Sequence, residues 1–184
     1  MKKKNGDWTI KDTEKKFGND FFEVFEDDVV EPDGKDGKYA TIRFKPGVSV
    51  LPVDDEGNVY LTRQFRYALG RDNVEAIAGA IEDEGRLQAG KREAREELGI
   101  EAEDWKYLGK IESDTSITNS LCHLYLARKL TFKKPKQEST EDIKIVKMKL
   151  ENAVQKVLDG EITHGQACVL ILKAEKLLST EAEN

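Results

Sequence analysis

The chain has 184 residues, with 30 Lys and Arg against 36 Asp and Glu, and its net charge of -6 excludes the general cationic field of a nucleic-acid binder. Hydrophobic residues make up 38% and charged residues 36%, a balance that suits one compact domain with a charged surface. No apolar run reaches the roughly 18 residues that a membrane-spanning helix needs. The basic start Met1-Lys2-Lys3-Lys4 has no apolar stretch behind it and does not read as a secretory signal. Cys122 and Cys168 lie inside apolar runs and read as small buried hydrophobes rather than a disulfide, so a cytoplasmic location is expected.

In chain order, residues 21–25 are strand-like and residues 32–37 are dense in turn formers. Residues 39–44 alternate, with Ala40, Ile42 and Phe44 on one face. The apolar run 48–53 and the segment 59–65 read as two strands joined by the acidic turn Asp54-Asp55-Glu56-Gly57-Asn58. Residues 105–111, 121–127 and 142–148 are further strand candidates. Leu150, Val154, Val157 and Leu158 fall at helical spacing before an Asp159-Gly160 stop. Ala167, Leu170, Ile171, Ala174, Leu177 and Leu178 mark a last amphipathic helix, with Thr163 and Gln166 spaced as a capping box. The sum is a mixed sheet flanked by helices.

The most informative stretch is Gly79-Ala80-Ile81-Glu82-Asp83-Glu84-Gly85 followed by residues 86–98, which read as a helix stopped by Gly99. Leu87, Ala94 and Leu98 share one face of that helix, and Glu93, Glu96 and Glu97 share the adjoining one. Like charges at this spacing cost an isolated helix about 0.2–0.5 kcal/mol per pair. A hard cation removes that cost, because carboxylate oxygens are the ligands magnesium prefers. Arg92 stands beside Glu93 and one turn before Glu96, where it can orient a carboxylate. The plainer reading is a solvated charged face. Gly90 is a mid-helix oddity, about 1 kcal/mol worse than alanine there.

This stretch resembles the Nudix box, whose pattern is Gly, five residues, Glu, seven residues, then Arg-Glu-aliphatic-any-Glu-Glu-any-Gly-aliphatic. Glu84 precedes Arg92 by seven intervening residues, and residues 92–100 fit the rest with Ala94 at the aliphatic position. The opening glycine would fall at Ala78, whereas the chain has Gly79, which reads as a loop one residue shorter. The resemblance implies an α/β Nudix fold (mixed, α+β in some schemes), with a mixed β-sheet sandwiched between helices and an N-terminal antiparallel strand region. It also implies that Glu93, Glu96, Glu97 and the Ala78 carbonyl hold Mg2+, or Mn2+ in its place. Glu84 then has a supporting role, and hydrolysis breaks a pyrophosphate bridge.

Beyond the box, Arg63-Gln64-Phe65-Arg66 and Glu75-Ala76-Ile77-Ala78-Gly79 are similar to the ADP-ribose pyrophosphatase branch, with Ile77 in place of a usual proline. Glu141-Asp142-Ile143 and the Asp159-Gly160-Glu161-Ile162 turn resemble its C-terminal part, and Ser120 stands where relatives often carry glutamate. This similarity implies a nucleoside-diphosphate sugar as substrate, with no nucleic acid and no membrane as partner. It also implies a homodimer in which a strand region over residues 1–45 is exchanged, followed by a hydrolase domain over 46–184. Arg66 and Arg63 are phosphate or ribose candidates, and three residues of strand separate them onto opposite faces, with Arg66 preferred. Glu75 is a candidate acceptor for sugar hydroxyls. The general base is expected on the loop before the last strand, where Glu141 is preferred over Glu138. His123 and His164 read as structural, and no zinc site or Ser-His-Asp arrangement is supported.

Overall fold

The computed structural model describes residues 2–136 and 142–182. In chain order they form β1 (Lys3–Asn5), β2 (Trp8–Gly18), β3 (Phe22–Val30), β4 (Asp36–Phe44), β5 (Gly47–Pro52) and β6 (Asn58–Arg66). There follow β7 (Arg71–Glu75), β8 (Ile77–Ala80), α1 (Arg86–Glu97), β9 (Ile100–Glu112), β10 (Thr118–Asn119) and β11 (Leu121–Phe132). The chain closes with β12 (Lys144–Lys149), α2 (Leu150–Leu158) and α3 (Gly165–Ala182). Two compact units result, one of residues 1–46 with 112–121, the other of residues 47–111 with 122–184.

The first unit is one sheet in the order β1-β2-β3-β4-β10, antiparallel except where β10 runs parallel to β4. Its β2 carries so many charges that no apolar alternation reveals it; cross-strand ion pairs such as Lys15–Glu23 and Lys38–Glu26, both at 2.6 Å, mark its register and that of β4 against β3. The alternation at residues 39–44 does make a strand, but its apolar face is not buried. Ala40 and Phe44 are exposed and Ile42 is half-buried, while Phe44 rests on Phe22 at 5.7 Å.

In the second unit, strand alternation sorts side chains into two apolar layers. Leu51 and Val53 of the β5 segment, Val59 and Leu61 of β6, and Leu124 and Leu126 of β11 pack with Ala153 of α2 and Ala167, Leu170 and Ile171 of α3. Their neighbours Val48, Val50, Tyr60, Tyr125 and Ala127 pack instead with Ala89 and Ala94 of α1 and with Leu98 just after it. Period two along the strands therefore sends successive residues to opposite helical layers, and the sheet system lies between helices. Burial on both faces explains why residues 48–53 read as a continuous apolar run.

Local chemistry departs from the sequence expectation in two places. The strands at 48–53 and 59–65 share only the Val53–Val59 bridge, because β5 pairs with β8 and β11 while β6 pairs with β12 and β7. Asp54 organises the turn between them by accepting the N–H groups of Glu56 and Asn58 at 3.0 and 2.8 Å. At the last helix, α3 begins at Gly165 and Cys168 N–H donates to the His164 carbonyl at 2.9 Å. Thr163 turns its hydroxyl toward Asn73 Oδ1 and Arg71 Nη2, away from the expected capping box.

Candidate active site

The acidic helix forms over Arg86–Glu97, and Gly99 ends it with φ +65°. A side chain at Gly99 would also meet the Lys133 carbonyl oxygen at 2.1 Å, so glycine is required by conformation and by space. Small residues draw α1 onto the sheet. At the buried Gly90 an added Cβ would lie 3.2 Å from Val50 Cγ2 and 3.3 Å from Val48 Cγ2. The mid-helix glycine thus exchanges helix propensity for a close approach to β5.

Opposite the carboxylates of α1 lies β8, and Gly79 is the contact point. A Cβ there would sit 1.9 Å from Glu93 Oε1 and 2.1 Å from Glu93 Cδ. The glycine one residue past the expected position therefore leaves the space that the Glu93 carboxylate fills. Glu97 is 6% exposed, and the Ala78 N–H approaches its Oε1 at 3.4 Å. Ala78, Gly79, Ala80, Glu82, Arg92, Glu93, Glu96 and Glu97 line a cavity of about 220 Å³. Nothing in the residue pattern singles out Glu82, whose only sequence signal is its place in the loop that joins β8 to α1.

Arg92 is the internal countercharge. Its Nε donates to Glu84 at 2.8 Å, its Nη1 to Glu93 and Glu96 at 2.7 and 3.1 Å, and its Nη2 to the Ala80 carbonyl at 3.0 Å. Burial alone would lower its pKa, but Glu84, Glu93 and Glu96 outweigh that and raise it, so the guanidinium stays charged. Glu84, despite the shortened loop, sits as the partner of Arg92.

These residues fit a divalent ion by donor chemistry, since the carboxylates of Glu93, Glu96 and Glu97 line a cavity with the β8 backbone, whose glycine makes room for Glu93. Among the described residues no three acidic, histidine or cysteine groups converge on a single point, because Arg92 draws Glu93 and Glu96 toward itself.

The other sequence candidates lie outside the lining of this cavity. Arg63 is exposed and shares its β6 face with Leu61, whereas Arg66 shares a face with Tyr60 and Thr62, on the α1 side. Arg66 grips Glu75 with two hydrogen bonds, Nε to Oε1 at 2.9 Å and Nη2 to Oε2. Glu75 also accepts from Asn73 Nδ2 at 2.9 Å and is 4% exposed, so its carboxylate is engaged within the protein rather than open to sugar hydroxyls. Burial pushes the Glu75 carboxyl upward, but the bonds from Arg66 and Asn73 outweigh it and leave the pKa lowered. Glu138 and Glu141 lie outside the described residues. His123 Nδ1 meets Tyr107 Oη at 2.9 Å, and His164 Nε2 lies 3.9 Å from Glu75 Oε2. Both cysteines are free thiols, and burial pushes Cys122 up to about 11. Among the described residues no helix is long and apolar enough to cross a membrane.

A family model, the NUDIX domain, matches residues 43–168. The chain belongs to the Nudix family. This Nudix chain is 30% identical over 149 residues to ADP-ribose pyrophosphatase of Bacillus subtilis (strain 168), covering 79% of this chain and 80% of that one. It is 28% identical over 167 residues, 89% of each chain, to the methanol dehydrogenase activator of Bacillus methanolicus. A solved structure described as an ADP compounds hydrolase superposes with a TM-score of 0.86 at 20% identity, covering 97% of this chain and 98% of the other, and shows a shared fold. The mixed sheets between helices are thus a Nudix fold, and the chain is a Nudix pyrophosphohydrolase. Enzymes of this family generally work with divalent metal ions.

Proposed function

We propose that this Nudix hydrolase cleaves the pyrophosphate bridge of a nucleoside-diphosphate sugar, ADP-ribose foremost, to AMP and ribose 5-phosphate, with Mg2+ or Mn2+ as the working ion. The observation that carries this reading is the meeting of Glu93, Glu96 and Glu97 with the β8 backbone at Gly79. The 30% identity to an ADP-ribose pyrophosphatase supports the substrate class.

In this reading Glu93, Glu96, Glu97 and the Ala78 carbonyl supply oxygen ligands. Divalent ions, when bound, neutralise the diphosphate and make a bound water more acidic. Arg92 holds Glu93 and Glu96 in place, and Glu84 holds Arg92. Arg66 receives a phosphate or ribose oxygen while Glu75 fixes its guanidinium, and Arg63 on the opposite strand face is the weaker choice. Glu141, or Glu138 beside it, takes the proton of the water that attacks phosphorus. The bond from that phosphorus to the bridging oxygen breaks, and the departing phosphate keeps the electron pair. A homodimer through residues 1–45 and a cytoplasmic place of action belong to the same proposal; exposed Phe17, Phe21 and Phe44 offer the dimer an apolar face. Light scattering after gel filtration checks the dimer, which a monomeric mass would refute.

The deciding experiment incubates the purified protein and magnesium with a panel of nucleotide sugars and counts monophosphate products. AMP and ribose 5-phosphate from ADP-ribose support the proposal. Turnover confined to another sugar nucleotide or a dinucleotide keeps the chemistry and replaces the substrate, and tight binding without turnover marks a nucleotide-binding module. Glu138→Gln and Glu141→Gln are expected to lose unequal amounts of turnover, the larger loss marking the base; equal small losses would remove both from that role.

A further inference from the structure

A polar cluster outside the acidic cavity joins β6, β7 and the start of α3, and neither the ion site nor the proton transfer uses it. Its centre is Glu75, a carboxylate buried to 4% exposure whose charge must be met inside the protein. Arg66 and Asn73 meet it from the sheet. The remaining side of Oε2 is faced by His164 Nε2 at 3.9 Å.

The backbone that carries the imidazole is anchored on both sides. Ile162, two residues before it, is 3% exposed and anchored in the α3 core layer. Thr163 bonds Asn73 and Arg71, and the His164 carbonyl accepts the first-turn N–H of Cys168. The other ring nitrogen, Nδ1, is buried and makes no hydrogen bond. A desolvated nitrogen without a partner is a cost that an apolar residue of similar size would not carry, so packing alone does not explain a histidine here. Burial, assisted by the charge of Arg66, lowers the His164 pKa against the opposing pull of Glu75. A neutral ring leaves Glu75 and Arg66 as a balanced pair, where a charged one would compete with Arg66 for Oε2.

We infer that His164 is a positioning residue for the Arg66 guanidinium, acting through Glu75 from the first turn of α3. Aimed by Glu75, Arg66 keeps 41% of its side chain open to solvent, where a guanidinium can meet a phosphate. It stands on the α1 side of β6, and Glu75 lies three residues before Ala78, about 10 Å of extended chain from the acidic cavity. His164 backs Glu75, Glu75 aims Arg66, and Arg66 meets the anion. The inference rests on the proposed role of Arg66.

The test is a double-mutant cycle on the full chain with two readouts: kcat and KM for ADP-ribose with magnesium, and calorimetric binding of ADP in EDTA, where no ion contributes. His164→Leu is expected to raise KM and weaken ADP binding about five- to tenfold, with kcat changed by less than about twofold. His164→Gln, which keeps a polar group facing Glu75, is expected to recover most of the loss. In an Arg66→Ala background His164→Leu is expected to add less than about twofold, because both changes remove one arrangement. A lowered melting temperature with unchanged KM and ADP affinity would reduce His164 to a structural role and overturn the inference, as would full additivity with Arg66→Ala. Should His164→Leu not fold, His164→Asn carries the same cycle. Arg66→Ala without effect on either readout would instead refute the assignment of Arg66 and the inference with it, an outcome distinct from failure at His164 alone.

Discussion

Arg92 and Arg66 are both arginines gripping glutamates, half-buried ones for Arg92 and a buried one for Arg66, yet they work under opposite constraints. Arg92 is saturated by Glu84, Glu93, Glu96 and the Ala80 carbonyl, partners at most twelve residues away on the box itself. Arg66 is anchored by Glu75 on the neighbouring strand, which is backed by a histidine 98 residues further along the chain. A guanidinium enclosed by carboxylates neutralises and orients them, whereas a solvent-open one aimed by a carboxylate of a neighbouring strand can present its fork to an anion from outside. The origin of the partners, more than residue type, separates the two: the box itself for Arg92, a neighbouring strand and the start of α3 for Arg66.

The sharpest test concerns the carboxylates that Arg92 serves. Glu97→Gln removes charge from the ion site and is expected to lower kcat at least about 100-fold with an unchanged circular dichroism spectrum. Turnover near the wild-type level would take Glu97 out of the ligand set. The two arginines should then differ in kind. Arg92→Ala is expected to lower kcat by an order of magnitude or more, while Arg66→Ala raises KM about tenfold with kcat little changed. If both substitutions move the same parameter, the distinction drawn above is lost.

A third test uses acid. The Glu75 carboxyl titrates below its usual range, so its contribution to stability is present above the usual glutamate value of about 4.3 and is lost as pH falls through the lower folded value. The difference in thermal midpoint between wild type and Glu75→Gln should therefore be largest at neutral pH and shrink below about pH 4. A difference that grows on acidification would contradict the Arg66–Glu75 pairing. The smallest effect is expected at Gly90. Alanine gains about 1 kcal/mol of helix propensity but presses on the Val48 and Val50 methyls, so Gly90→Ala should change stability by no more than about 1–2 kcal/mol, toward destabilisation. Denaturant melts measure it, and a clear gain would show that the sheet yields to the added methyl.

Much of the fold was legible because periodicity is a local property. The helix ending at Gly99, the run at residues 48–53 and the amphipathic α3 all follow from spacing along a few turns or strands. β2 was not legible, because its eleven residues are mostly charged and polar and draw their order from ion pairs with β3. Nor was β10, a two-residue strand defined only by its neighbour β4.

The site divides the same way. Residue order alone determined that Arg92, Glu93, Glu96 and Glu97 share one side of a helix, since 3.6 residues per turn leaves no alternative. The tertiary structure decided what stands opposite: Gly79 giving way to Glu93, and Gly90 seating the helix on β5. It also decided that Glu75 turns inward to Arg66 and that His164 arrives behind it. Spacing along one element is dictated by backbone geometry, which the sequence carries in itself. Encounters between elements depend on how the chain returns through space, and only the packed structure supplies that.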